Sequence, residues 1–181
     1  MKTAVLFPGI GYHCDKPLLY YAGRLARQNG SEEIVRVSYT YNGGNIRGNA
    51  RAMKDAFDTL YAQAAEQLDK VPWERYEDIL FISKSIGTGV AAAYAARHQL
   101  NVRHILYTPL KETYAFCPER GIAFIGTDDP WSDTALVGSL SREAGIPITI
   151  IRGGNHSLET GDVSRDLEVL RQVMEETKSF M

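Results

Sequence analysis

The stretch Asp78-Ile79-Leu80-Phe81-Ile82-Ser83-Lys84-Ser85-Ile86-Gly87-Thr88-Gly89-Val90-Ala91-Ala92-Ala93-Tyr94 changes character at its middle. Ile79–Ser83 is a short apolar run of the kind found in strands covered on both faces, and Ile86–His98 continues as an alanine-rich helix. A strand that turns so abruptly into a helix lifts the residue at the corner, Ser85, above the end of the sheet. The corner strains that residue's backbone and crowds the positions two before and two after it, so both must be small. Ser83 and Gly87 meet that requirement. Gly87, Gly89 and the alanines also let the helix approach the sheet closely.

Outward from this corner the same alternation runs to both ends of the chain. Strands are predicted at Ala4–Phe7, Ile34–Thr40, Ile79–Ser83, His104–Tyr107, Ile122–Ile125 and Ile148–Ile151. In Ile34–Thr40, Val35, Val37 and Tyr39 alternate with Arg36 and Ser38, which suits an edge strand with one partly wet face. Helices are predicted at Leu18–Arg27, Arg47–Leu68, Ile86–His98, Asp133–Ala144 and Val163–Thr177 from apolar spacings of three and four. The last is read with Val163, Leu167, Leu170, Val173 and Met174 on one face. Regular β-α alternation implies parallel strands joined by right-handed crossovers, hence a doubly wound α/β sheet. No repeat or linker divides the chain, so residues 1–181 read as one domain.

Ligands of such sheets bind beyond the carboxyl ends of the strands, where the strand order reverses. Residues that directly follow strands are therefore the candidates. Ser85 follows the third strand, Gly126-Thr127-Asp128-Asp129-Pro130-Trp131 the fifth, and Arg152-Gly153-Gly154-Asn155-His156-Ser157 the sixth. Serine, aspartate and histidine thus occur in one of the few chain orders in which an acyl-transfer triad recurs. The Ile86 N–H, at the helix N-terminus, would face an oxyanion forming on a substrate bound to Ser85.

These residues resemble the α/β-hydrolase superfamily. Ser83-Lys84-Ser85-Ile86-Gly87 is similar to its nucleophile elbow, with Ser83 replacing the first glycine. Gly126-Thr127-Asp128-Asp129-Pro130 resembles its acid loop, where Asp129 is favoured over Asp128, and Gly154-Asn155-His156 its histidine loop. Pro8-Gly9-Ile10-Gly11-Tyr12 resembles its oxyanion segment, with proline in place of histidine. The resemblance implies Ser85 as nucleophile, His156 as base, Asp129 as its orienting acid, and the Ile10 and Ile86 N–H groups as the oxyanion hole. It also implies a minimal form of the fold, a three-layer sandwich of about six parallel strands in the order 2-1-3-4-5-6. The activity implied is hydrolysis of an ester, thioester or related acyl bond of a small soluble substrate, with no cofactor and no metal. The alternative is a non-catalytic binding protein on the same scaffold.

Around that centre Gly11, Tyr12 and Trp131 are candidate substrate contacts, and His13 and Cys14 could rim the pocket. Lys84 is expected to pair with a nearby carboxylate. Only Thr108 to Arg120 separates the fourth and fifth strands, too little for a multi-helix lid. Its Pro109, Tyr114, Phe116 and Pro118 suggest an ordered loop over an open, shallow site with little apolar wall, suited to short acyl groups.

Composition narrows the classes further. Twenty basic and 22 acidic residues give a net charge of −2, so charge-driven nucleic-acid binding is not expected. The longest uncharged runs, Thr3–Cys14 and Ser85–Ala96, stop at twelve residues, short of a membrane span. The N-terminus lacks the features of an export signal, and the two cysteines, Cys14 and Cys117, have no metal-type spacing. A cytoplasmic protein with reduced thiols is the expectation. A phosphate-binding reading of Pro8-Gly9-Ile10-Gly11 fails, because the third glycine of that fingerprint is Cys14 here.

Overall fold

The computed structural model describes the whole chain, Met1–Met181. Along it run β1 (Lys2–Phe7), α1 (Pro17–Gln28), β2 (Glu33–Arg36), α2 (Ala50–Leu68), β3 (Asp78–Lys84), α3 (Ile86–Arg97), β4 (Val102–Tyr107), β5 (Gly121–Gly126), α4 (Thr134–Glu143), β6 (Ile148–Ile151) and α5 (Val163–Phe180). Short 3-10 helices lie at Trp73–Arg75 and Lys111–Phe116. The six strands pair in parallel in the order β2-β1-β3-β4-β5-β6, as the resemblance implies. The order reverses between β1 and β3, so the loops that leave those two strands diverge and open a crevice at their carboxyl ends.

Period-two alternation sorts the core onto the two faces of the sheet. Ile79 and Phe81 of β3 point to α2 and α3, where they pack with Val5, Phe7, Leu60, Val90 and Tyr94. Leu80 and Ile82 point the other way and pack with Leu18, Leu19, Val169 and Val173 of α1 and α5. Smaller clusters, Leu106 with Ala123 and Ile146, and Ile125 with Tyr114 and Val137, extend the α2/α3 layer across β4 to α4. α3 is buried from Ile86 to Ala95. Its alanines and glycines are what allow a helix to lie so deep against the centre of the sheet. No helix is long and apolar enough to cross a membrane.

Three predicted elements differ. β2 ends at Arg36 rather than Thr40, because β1 has no more ladder positions to offer: the Val37 N–H donates to Leu6 O, and β1 itself ends at Phe7. Beyond it the amides of α2 stand in for a partner strand. Gln67 accepts from the Ser38 N–H and donates to the Ser38 carbonyl, and Gln63 does the same for Thr40. α2 begins at Ala50 instead of Arg47, since Asn49 caps it by accepting from the Ala52 N–H. In α5 the buried stripe is Val169, Val173 and Thr177. Leu170 and Met174 lie at its edge, and Val163 and Leu167 carry that edge out to solvent, 74% and 63% exposed.

Candidate active site

Ser85 sits between β3 and α3 at φ 57°, ψ −131°, a conformation side chains rarely adopt. Three hydrogen bonds hold it there. Its N–H donates to Tyr107 O at 3.0 Å, and its carbonyl accepts from the Thr88 N–H at 2.9 Å and the Thr88 hydroxyl at 2.6 Å. The Ser83 hydroxyl, where the resemblance has glycine, donates to Ile105 O and is fully buried. Strain at one half-buried residue is thus balanced by bonds around it.

Gly87 shows how tightly the corner is packed. A Cβ there would lie 2.3 Å from Pro8 O and 2.7 Å from Phe7 O, both main-chain atoms. Gly87→Ala must therefore push α3 off β1 and separate the Ile86 N–H from the loop after β1. We expect urea unfolding to show a loss of about 1–3 kcal/mol.

That loop is a two-residue hairpin turn. Gly9 and Tyr12 exchange backbone hydrogen bonds at 3.1 and 3.2 Å, with Ile10 and Gly11 between them. The turn leaves the Ile10 N–H outside the pair, and the first N–H of α3, that of Ile86, has no intrahelical partner by geometry. Tyr39 anchors the loop by donating its hydroxyl to Pro8 O at 2.6 Å. Gly9 lies directly against the corner, since a Cβ on it would come 3.1 Å from Ser85 Cβ. The two N–H groups assigned from sequence are therefore presented by segments that touch each other beside Ser85.

The acid and histidine loops are joined in the same way. A Cβ on Gly126 would meet Gly154 O at 1.9 Å, so only glycine lets β5 and the loop after β6 approach. The Asp128 N–H donates to Gly154 O, and the Gly153 N–H to the Thr127 hydroxyl. Asn155 braces the second loop by accepting from the Ser157 and Glu159 N–H groups. The result brings His156 Nδ1 to 2.7 and 2.9 Å from the Asp129 oxygens and His156 Nε2 to 2.7 Å from Ser85 Oγ. Asp129 also accepts from the Trp131 N–H at 2.8 Å and is buried, its side chain 0% exposed against 18% for His156. With the carboxylate accepting, Nδ1 carries the imidazole proton and Nε2 is free to accept from Ser85. Burial holds His156 below its ordinary value of 6.5, with Lys84 acting in the same direction and Asp129 against it. Asp128 is exposed and accepts from the Thr127 hydroxyl.

The other expected contacts divide between the centre and the rest of the fold. Trp131 stands beside the centre, its ring 5.5 Å from that of His156. Gly11 occupies the outer corner of the hairpin with positive φ. Tyr12 is not a wall of the cleft: it is buried in the α1/α5 core, its hydroxyl accepting from the Leu18 N–H. Lys84 forms no ion pair with a carboxylate and lies instead over the Tyr12 ring, 4.9 Å from its centre. His13 is exposed next to Asp15, and Cys14 is buried with its thiol pushed up by burial. No cluster of three or more His, Cys, Asp or Glu side chains is placed to hold a metal ion.

Sequence reasoning missed the wall of the cleft. An apolar groove of about 500 Å³ adjoins the corner, lined by Ile86 and Gly89 of α3, Met53 and Phe57 of α2, and Leu110 and Phe116. Phe57 and Phe116 stack at 5.6 Å. A second hollow of similar size, lined by Trp131, Arg47, Lys111 and Ser132, shares Ala50, Met53, Leu110 and Glu112 with it. An apolar wall thus stands beside the corner, where the sequence reading expected little. Met53 and Phe57 keep helical spacing with Leu60 and Ala64, so periodicity alone cannot tell a cleft wall from core.

No family model matches the chain, and no curated protein matches it in sequence. Solved structures do. Est1E from Butyrivibrio proteoclasticus, solved with ferulic acid bound, superimposes with TM-score 0.70 at 11% identity, covering 100% of this chain and 88% of that one. A serine hydrolase without a lid from Xanthomonas campestris gives 0.62 at 16% identity, covering 97% and 80%. An esterase from Pyrococcus furiosus gives 0.65 at 10% identity, covering 99% and 81%. Likeness over nearly the full length at such low identity is likeness of architecture, and this chain has the α/β-hydrolase fold.

Proposed function

We propose that this protein is a serine hydrolase of esters or thioesters, and the observation that carries the reading is the continuous Ser85–His156–Asp129 hydrogen-bond chain at the strained corner. In the proposed reaction Ser85 Oγ attacks the acyl carbon while its proton passes to His156 Nε2. Asp129 fixes the tautomer and stabilises the imidazolium that forms. The Ile10 and Ile86 N–H groups hold the oxyanion, where one donor is worth about 3 kcal/mol in comparable sites. His156 returns the proton to the departing alcohol or thiol, and water repeats the sequence on the acyl-serine. The test is a fluorophosphonate probe, which should add one label to the folded protein, on the peptide that carries Ser85. Absence of labelling with small probes, or labelling at another residue, would sink the reading.

The groove beside Ile86 supports an apolar acyl group as the part held on the oxyanion side. The hollow beside Trp131, which carries Arg47, Lys111 and Ser132 among its lining, suits the leaving group, which His156 must protonate. Specificity constants on p-nitrophenyl esters should then rise from acetate to hexanoate, by up to about fourfold per methylene for full burial. Phe57→Ala should lower the hexanoate value at least about fivefold more than the acetate value. A flat series in wild type would show that the acyl group lies outside the groove.

A further inference from the structure

Lys84 directly precedes Ser85 and is 1% exposed. A lone ammonium is so costly to bury that lysines in such places pair closely with a carboxylate or give up their proton. Here Asp129 and Glu159 act on it only through space, neither as a hydrogen-bond partner. The amine rests against the Tyr12 ring, a surface that attracts the ammonium without trapping it as a carboxylate would. The ring in turn is fixed by its bond from the Leu18 N–H.

The groups that face this amine come from four parts of the fold. Tyr12 lies on the loop after β1, Tyr107 opposite Lys84 on β4, Asp129 on the loop after β5, and His156 and Glu159 on the loop after β6. Burial raises both tyrosines, so they stay protonated in the working range. The charges that count are Asp129, Glu159 and His156.

We propose that Lys84 is a positioning residue, a buried amine that acts through the Asp129–His156 pair to keep the imidazole neutral, and so able to accept the Ser85 proton, at lower pH than the carboxylate alone would allow. The role rests on the hydrolase reading above. An aspartate beside a histidine favours the imidazolium, and a nearby ammonium opposes it. Burial brings the amine down to about 7, so Lys84 is cationic while His156 titrates below 6.5 and loses its charge just above. Once it is neutral, the Asp129 charge is fully available to the imidazolium of the transition state. Wild-type kcat/KM should accordingly rise as His156 loses its proton, at a pH below the ordinary histidine value.

Lys84→Met and Lys84→Arg separate this role from mere filling of space. In Lys84→Met, ¹⁵N NMR should show His156 titrating at least about half a pH unit higher. The acid limb of kcat/KM for p-nitrophenyl butyrate should move with it, lowering the rate at a fixed pH on that limb roughly threefold. Lys84→Arg, cationic throughout, should leave His156 where wild type has it. Lys84→Met should also melt higher than wild type, most clearly below pH 7. The wild-type amine titrates near 7 when folded but near about 10.4 unfolded, so wild type gains stability as pH rises between the two and the difference shrinks. An unmoved His156 titration in folded Lys84→Met, or one displaced in Lys84→Arg, overturns the proposal. Wild type that turns over no ester while His156 still shifts as expected overturns the hydrolase reading alone.

Discussion

Ser85→Ala should lower kcat/KM for a p-nitrophenyl ester by about 10⁴- to 10⁶-fold and abolish fluorophosphonate labelling. Without Oγ no acyl-enzyme forms, and His156 has no proton to take. What rate remains comes from the oxyanion donors acting on attack by water. The only side-chain bond lost is the one to His156 Nε2, while the main-chain bonds to Tyr107 and Thr88 stay. The folded state should therefore survive with its melting temperature nearly unchanged, which separates lost chemistry from lost structure. His156→Ala and the double variant should fall to about the same floor, because groups that act as one unit do not add. A Ser85→Ala protein within tenfold of wild type would remove Ser85 from the mechanism.

Asp129→Asn should cost about 10⁴-fold in kcat with little change in stability. Asp129 accepts from two directions, the Trp131 N–H and His156 Nδ1. An asparagine has one carbonyl oxygen for both. If that oxygen keeps the Trp131 N–H, the amide NH₂ faces Nδ1 and forces the proton onto Nε2. The imidazole then donates to Ser85 instead of accepting from it. Asp128→Asn is the matched control: that side chain is exposed and bonded to Thr127, so its rate should stay within about twofold of wild type. Kinetics of the two variants at one pH decide between the neighbours. Inactivity of Asp128→Asn with an active Asp129→Asn would reverse the assignment.

What the sequence made legible is what the backbone enforces. Ser85, Gly87, Gly126 and Gly154 occupy positions where a strained corner or an approach of two main chains admits few residue types, so the pattern and the geometry are one statement. The strand order was legible only through the resemblance to the α/β-hydrolase superfamily, since β-α alternation by itself implies parallel strands and right-handed crossovers but no single order. Less visible were features decided by what lies opposite. Met53 and Phe57 line a groove because Leu110 and Phe116, distant in sequence, leave a gap there. Val163 and Leu167 repeat with the right period yet stay exposed to solvent. Lys84 looked like half of an ion pair, and nothing in the letters around it indicates that a tyrosine ring would take the partner's place.

The amides of Gln63 and Gln67 hold the ribbon after β2 by its main chain alone. Such a grip is blind to side chains. Any residue except proline at positions 38 and 40 offers the same N–H and carbonyl, so the attachment survives almost every substitution there. The ribbon leads on to Ile46, Arg47 and Ala50, which border the cleft. Positions 38 and 40 can consequently be rewritten, by drift or by design, whereas Val37, Tyr39 and Ile46 hold the path through their side chains. The main-chain grip on positions 38 and 40 is thereby uncoupled from the side chains those positions carry.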